Sequence, residues 1–317
     1  MGKYILRRLL LAIVTFFSIT VIVFFMSYMA PGSPIDYLLV DPTISAEELT
    51  RRAAQLGLHQ PVYVQYFSWL GQLLHGNLGF SYRTYRSVTD MIAECLGNTL
   101  LLTFSSLLIA YLIAIPIGIY SARKPYSSGD FLSATGALLA MAMPGFVVGM
   151  FFIFFFSVKL GWLPMSGMYS SNASKSALDL VLHLIMPSIC LAIQQIGHIM
   201  RQMRSSMLDI LNEDYIRAAR AKGLSDRRVV YTHALRNALA PMVTLFGTSV
   251  PFLVGGAVVT EQVFTWPGIG SLMVSSITAR DYPVIMGITG VVAVAVLIGN
   301  LLVDITYGIL DPKIRYN

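Results

Sequence analysis

The sequence predicts an all-α integral membrane protein, and three observations carry that prediction. The 317 residues are 56% apolar and only 12% charged, with a mean hydropathy of +0.68; a water-soluble domain carries about 25% charged residues. Six apolar stretches punctuate the chain, each near or above the roughly 20 residues a helix needs to cross a ~30 Å hydrocarbon core. The basic residues fall unevenly between those stretches, as the positive-inside rule describes. The expectation is a six-transmembrane-helix bundle with both the N-terminus and the C-terminus cytoplasmic. The net charge of +6 then reports topology rather than an affinity for nucleic acid.

The first span, within residues 1–30, follows Lys3, Arg7 and Arg8 and runs from Leu9 to Met29, 21 residues without a charge. That is longer than the apolar region of a signal peptide, and no small-x-small cleavage site follows, so it is read as an uncleaved anchor. Residues 31–98 form an extracytoplasmic segment with short helices. Ser45-Ala46-Glu47-Glu48 is a capping box, and its helix is expected to end by Gly57. Pro61 opens a second helix that ends near Gly76. On it Tyr63, Tyr66, Phe67, Leu70, Leu73 and Leu74 fall on one face, which the bundle is expected to cover.

Residues 99–317 hold the remaining five spans: Thr99–Ala122, Phe131–Val158, Leu182–Met200, Ala238–Thr260 and Val284–Val303. Pro116, Pro144 and Gly145 interrupt the second and third spans and are expected to kink them. The fourth carries Gln194, Gln195 and His198. Polar side chains at membrane depth face protein or a water-filled cavity. Gln194 and Gln195 are therefore candidates for a translocation path, with interhelical hydrogen bonding as the alternative. Glu261, at the outer end of the fifth span, is open to a substrate amine or to a neighbouring helix. With the N-terminus inside, fifteen Lys and Arg residues lie in cytoplasmic segments and seven outside.

The longest polar stretch, Asn212 to Pro241, belongs to the cytoplasmic loop at 201–237. It reads as two short helices. The first runs from about Glu213 to Lys222 and is ended by Gly223 as a left-handed residue; the second starts near Asp226 behind Ser225 as its N-cap. Arg217-Ala218-Ala219, three residues and Gly223 resemble the "EAA" loop of binding-protein-dependent ABC importer permeases, with Arg217 at the Glu position. Pro31-Gly32-Ser33-Pro34, Leu56-Gly57-Leu58, Gln65-Tyr66, Trp69-Leu70, Gly76-Asn77-Leu78-Gly79, Gly161-Trp162-Leu163-Pro164, the run from Glu261 to Gly270 and Arg280-Asp281-Tyr282-Pro283 are similar to the dipeptide, oligopeptide and nickel branch of that family. The likeness is to the first of its two permease subunits. It departs at Ser33 and Asn77, where members often carry Asp.

The resemblance implies a type I importer permease bundle that forms a translocation path for di- or oligopeptides; nickel chelates or glutathione are the alternative cargo. It implies a heterodimer with a related permease, two ATPase subunits and an extracytoplasmic substrate-binding protein. The ATPase-coupling residues it implies are Tyr215, Arg217, Ala218, Ala219, Lys222 and Gly223. Ala218 and Ala219 make the close contact with an ATPase groove, and Arg217 and Arg220 lie at its rim. ATP and Mg²⁺ are expected on the partner subunits and no cofactor on this chain, which has no G-x-x-x-x-G-K-[ST] phosphate loop. Cys95 and Cys190 have no metal spacing, and no metal site is expected. No catalytic constellation is present either, so the chain is read as a transport subunit rather than an enzyme. A self-powered, ion-coupled carrier is the less favoured reading, because it would place carboxylates near the midplane.

Overall fold

The computed structural model describes residues 2–29, 59–170, 175–249 and 257–310, with four further positions between 47 and 54. Among the described residues every named element is helical, and strand pairing is confined to a single bridge between Phe80 and Ser87. Four helical stretches are long and apolar enough to cross a membrane: Arg7–Met29, Val88–Arg123, Ala177–Leu211 and Tyr282–Leu301. A bent pair, Ser128–Ala142 with Gly145–Lys159, makes a fifth candidate. Of the expected capping-box helix only Glu47, Thr50, Arg51 and Ala54 are described, all of them helical, and the middle of the expected span Ala238–Thr260, at 250–256, lies outside the described residues. The chain divides into two compact units, residues 1–98 with 268–317 and residues 99–267. The last span thus groups with the N-terminal part, whereas the sequence grouped it with 99–267.

In the first unit, α1 (Gly2–Met29) supplies Phe24 and α2 (Val62–Leu74) supplies Tyr66 and Leu70 to one apolar cluster, completed by Met286 of α12 (Tyr282–Leu310). The Tyr66 and Thr20 hydroxyls lie 3.1 Å apart, which satisfies two buried polar groups at once. Pro61 sits at the N-cap of α2, where its missing N–H costs nothing. The apolar face expected on α2 divides: Tyr66 and Leu70 are buried, whereas Tyr63, Phe67 and Leu74 are exposed. Six apolar positions cover too wide an arc of one helix for a single contact.

Before α3 (Val88–Arg123) the chain makes a short loop that is held by Asp281. The Ser81 hydroxyl and the Tyr82 amide both donate to that buried carboxylate. Burial pushes the Tyr82 phenol up to about 12, with the Asp281 charge adding to it. Arg280, in the left-handed region at φ 56°, turns the chain between α11 (Ile269–Ala279) and α12.

The second unit holds most of α3, then α4 (Ser128–Ala142), α5 (Gly145–Phe152), α6 (Ala177–Leu211) and the shorter helices after it. The third expected span is broken rather than kinked: its two halves meet at 98°. Proline disfavours the α conformation of the residue before it, and Met143 is extended at φ −79°, ψ 126°. Two carbonyls beside the break accept from side chains of α6. Cys190 Sγ donates to Gly145 O at 3.2 Å and Gln194 Nε2 to Met143 O at 3.4 Å. The second half continues from α5 as a π-helical turn, Ile153–Lys159. Helices α4 and α6 cross closely at Gly197, where a Cβ would stand 2.7 Å from Ala137 O.

Candidate functional site

The loop expected to carry the chemistry lies between α6 and the span after it, and it folds as two short helices. The first, α7 (Asp214–Ala221), starts behind Glu213, has Lys222 as its C-cap and is ended by Gly223 at φ +78°. A residue with a Cβ is strained there, so the glycine is a requirement of the turn. The second, α8, is the continuous stretch 226–238, built of Asp226–Arg228, a π-helical segment Val229–Ala234 and Leu235–Ala238. Ser225 occupies its N-cap position, but its side chain makes no capping bond.

A buried seam fastens α7 and α8 to the rest of the unit. Ile216 is 0% exposed, and it shares one apolar cluster with Ala219 of α7, Val229, Val230 and Ala234 of α8, and Met203 and Met207 of α6. Ile119 and Ala122 of α3 belong to the same cluster. Sequence reading passed over Ile216. The signal was present: an apolar residue three places before Ala219 on an otherwise polar helix marks a buried stripe.

Ion pairs rim this seam. Arg123 Nη2 lies 2.6 Å from Asp226 Oδ2, and Arg220 lies 3.8 Å from Oδ1 of the same carboxylate. Asn237 Nδ2 donates to the Tyr215 hydroxyl at 2.8 Å, tying α8 to α7. A cleft of about 180 Å³ opens beside them, lined by Ala122, Arg123, Asn212, Arg220 and Asp226 among others.

The expected coupling residues separate by face. Tyr215, Arg217, Ala218, Lys222 and Gly223 are exposed, and Arg217 pairs with its neighbour Asp214 at 3.2 Å. Ala219 does not join them. It is 8% exposed and packed within its own chain, so the contact expected of the Ala218–Ala219 pair falls to Ala218 alone. Successive residues on a helix point about 100° apart, and here the seam takes Ala219 and leaves Ala218 outside.

The path candidates also part. On α6, Gln194 is exposed and Gln195 half-buried, and the exposed positions His198, Arg201 and Gln202 continue a polar stripe from Gln194 along one side of the helix. Glu261, on α10 (Val258–Val263), is 0% exposed and accepts a 2.8 Å hydrogen bond from the Thr99 hydroxyl. It is sealed within the unit and cannot line a surface that a solute reaches. The turn after it is equally closed: Trp266 is 0% and Phe264 2% exposed, the Trp266 amide donates to Glu261 O at 2.8 Å, and the Gly167 amide donates to Phe264 O at 2.8 Å.

No group of three or more His, Cys, Asp or Glu residues suited to a metal ion occurs among the described residues. What the site offers is a rigidly seated, outward-facing polar helix and a polar helical stripe.

The family described as "Binding-protein-dependent transport system inner membrane component" matches residues 114–316, and its N-terminal companion matches residues 1–103. The chain is 44% identical over 317 residues to the oligopeptide transport system permease protein AppB of Bacillus subtilis, covering 100% of both chains. It is 40% identical over 316 residues to the glutathione transport system permease protein GsiC of Shigella flexneri serotype 5b, again covering 100% of both. Among solved structures, an inward-facing MetNI methionine ABC transporter chain superposes with a TM-score of 0.51 at 19% identity, over 67% of this chain and 94% of that one. That likeness concerns the fold.

Proposed function

The chain belongs to the family of binding-protein-dependent transport system inner membrane components, and from that premise we propose that it is the first permease subunit of an ATP-driven importer of di- and oligopeptides. It is a multi-pass inner-membrane protein. In this reading six spans leave both termini in the cytoplasm, and α7 and α8 lie on that side. A related permease completes the bundle, two ATPase subunits bind ATP and Mg²⁺, and an extracytoplasmic binding protein delivers the cargo.

The observation that carries the proposal is the construction of α7. Its inner side is locked by Ile216 and Ala219, while Tyr215, Arg217, Ala218 and Lys222 face outward. A helix so anchored transmits a push from a docked subunit to α3 and α6 instead of folding away. ATP-driven closure of the ATPases then rocks packed helices as rigid bodies between inward- and outward-facing states. Gln194 and Gln195 stand on the polar side of α6 as path residues, while Glu261 serves the fold.

Peptide cargo is supported by the similarity to the oligopeptide permease; the glutathione permease supports a second reading, a short thiol peptide. Uptake by the reconstituted complex from a panel of di- and oligopeptides, glutathione and nickel chelates tests both. Peptide uptake that requires ATP, the ATPases and the binding protein is expected. Uptake by this chain alone, driven by an ion gradient, would refute the proposal. For topology, a reporter inserted at Ser45 is expected outside and one at Ser225 inside.

A further inference from the structure

Asp130, in the first turn of α4, is 4% exposed, and both its carboxylate oxygens are bonded. Arg204 of α6 donates from Nε to Oδ1 and from Nη2 to Oδ2, each at 2.7 Å. The Ser121 hydroxyl of α3 donates to Oδ1, and the Tyr126 amide to Oδ2 at 2.9 Å. Arg204 Nε also lies 3.1 Å from Ser121 Oγ. Three helices and the turn between two of them therefore meet at one carboxylate. A buried ion pair adds little net stability over an apolar contact of the same volume, because desolvation offsets the attraction; its best-attested use is to fix register.

What this pair registers can be read from the neighbours of Arg204. Met203 and Met207, both 0% exposed, belong to the cluster that seats Ile216 and Ala219 of α7. The same turn of α6 thus joins the cluster that seats α7 through its methionines and binds α4 through its guanidinium. Helix α4 runs from that point to the 98° break, where Gln194 of α6 bonds Met143 O. An apolar contact allows one helix to slide along another. A bidentate pair does not, since slipping by one helical turn, about 5.4 Å, breaks both parallel bonds.

We infer that the Asp130–Arg204 pair is the joint through which movement of α7 is passed to α4 and onward to the break at Met143–Pro144, a positioning pair for transport rather than a staple of the fold alone. The inference rests on the reading of α7 as the ATPase-docking helix.

The test uses the whole complex in proteoliposomes, with the partner permease, the ATPases and the binding protein, and measures ATPase co-purification, ATP turnover and uptake per ATP. Asp130→Asn keeps the size and one acceptor but loses the charge and the second carboxylate oxygen. Normal co-purification and persisting ATP turnover are expected, with uptake per ATP down about tenfold. Arg204→Lys is expected to follow in the same direction, because an ammonium cannot reproduce the planar fork. A purely structural pair lowers the yield of assembled complex and leaves uptake per ATP at the wild-type value; that result overturns the inference. If Asp130→Asn gives no complex, Ser121→Ala decides, since it keeps the ion pair and removes one donor. A roughly two- to threefold loss of uptake per ATP supports the joint, and an unchanged ratio overturns it. A wild-type chain that retains no ATPase overturns the docking reading and the joint together, an outcome distinct from an assembled but uncoupled complex.

Discussion

Helices α7 and α10 are both short, at 8 and 6 residues, and each carries a residue that the sequence marks as functional, yet they are built in opposite ways. Helix α7 buries Ile216 and Ala219 and leaves the rest of its surface open. Helix α10 and the turn after it bury Glu261, Phe264 and Trp266, and Trp266 joins Leu102, Leu191 and Ala257 in a closed cluster. The difference separates two meanings of a functional-looking residue. A polar helix with one locked side is a surface for a partner. Glu261, bonded to Thr99 beside a turn that closes on its own unit, packs that unit instead of presenting a surface.

The largest effect is expected where the closed region is opened. Trp266→Ala removes a fully buried indole and should cost about 3–5 kcal/mol, read by thermal unfolding in detergent. A loss below about 1 kcal/mol would mean that the cluster is not closed. Next comes Ala219→Asp, which puts an acid into the seam beside Ile216 and Met203. It should cost about 3 kcal/mol, the scale of an uncompensated buried charge. Normal stability of that variant would place Ala219 on the open side and erase the distinction between the two alanines. Glu261→Gln is milder, because the amide oxygen still accepts from Thr99. About 1 kcal/mol is expected, with uptake by the assembled complex unchanged. A changed cargo preference would return Glu261 to the path.

A separate effect concerns pH. The folded state raises the Tyr82 phenol from 10 to about 12 and so favours its neutral form. The stabilisation is complete below pH 10 and is lost as pH climbs toward about 12. Tyr82→Phe should abolish that alkaline component in unfolding curves recorded across the same range. An identical alkaline loss in the variant would assign it to another group.

Much of this contrast was legible in the sequence where its cause is local. Gly223 ends α7, Pro61 opens α2 and Pro144 interrupts the third span, because φ restriction and a missing N–H act on adjacent residues. The break lies where Cys190 and Gln194 of α6 bond the carbonyls of Gly145 and Met143, and their nearness is a tertiary fact. Which of Ala218 and Ala219 stays open depends on where the buried seam runs, and periodicity alone does not say. Asp130 and Arg204 stand 74 positions apart, and Arg204 had served only as a topology charge. Nothing in their local sequence announces the pair. The side on which α7 is locked depends on Ile119, Met203 and Met207, which only the packed unit brings to it.

The most direct test of α7 as the docking helix is Ala218→Asp, compared with wild type in one co-purification of the assembled complex. Ala218 is exposed in the chain alone, so insertion and thermal stability should stay within about 0.5 kcal/mol of wild type. Against a partner the same acid is desolvated without a counter-charge, and the co-purifying ATPase should fall together with ATP-dependent uptake. ATPase retained at the wild-type level, with normal uptake, would contradict the assignment of the open side of α7 to that partner.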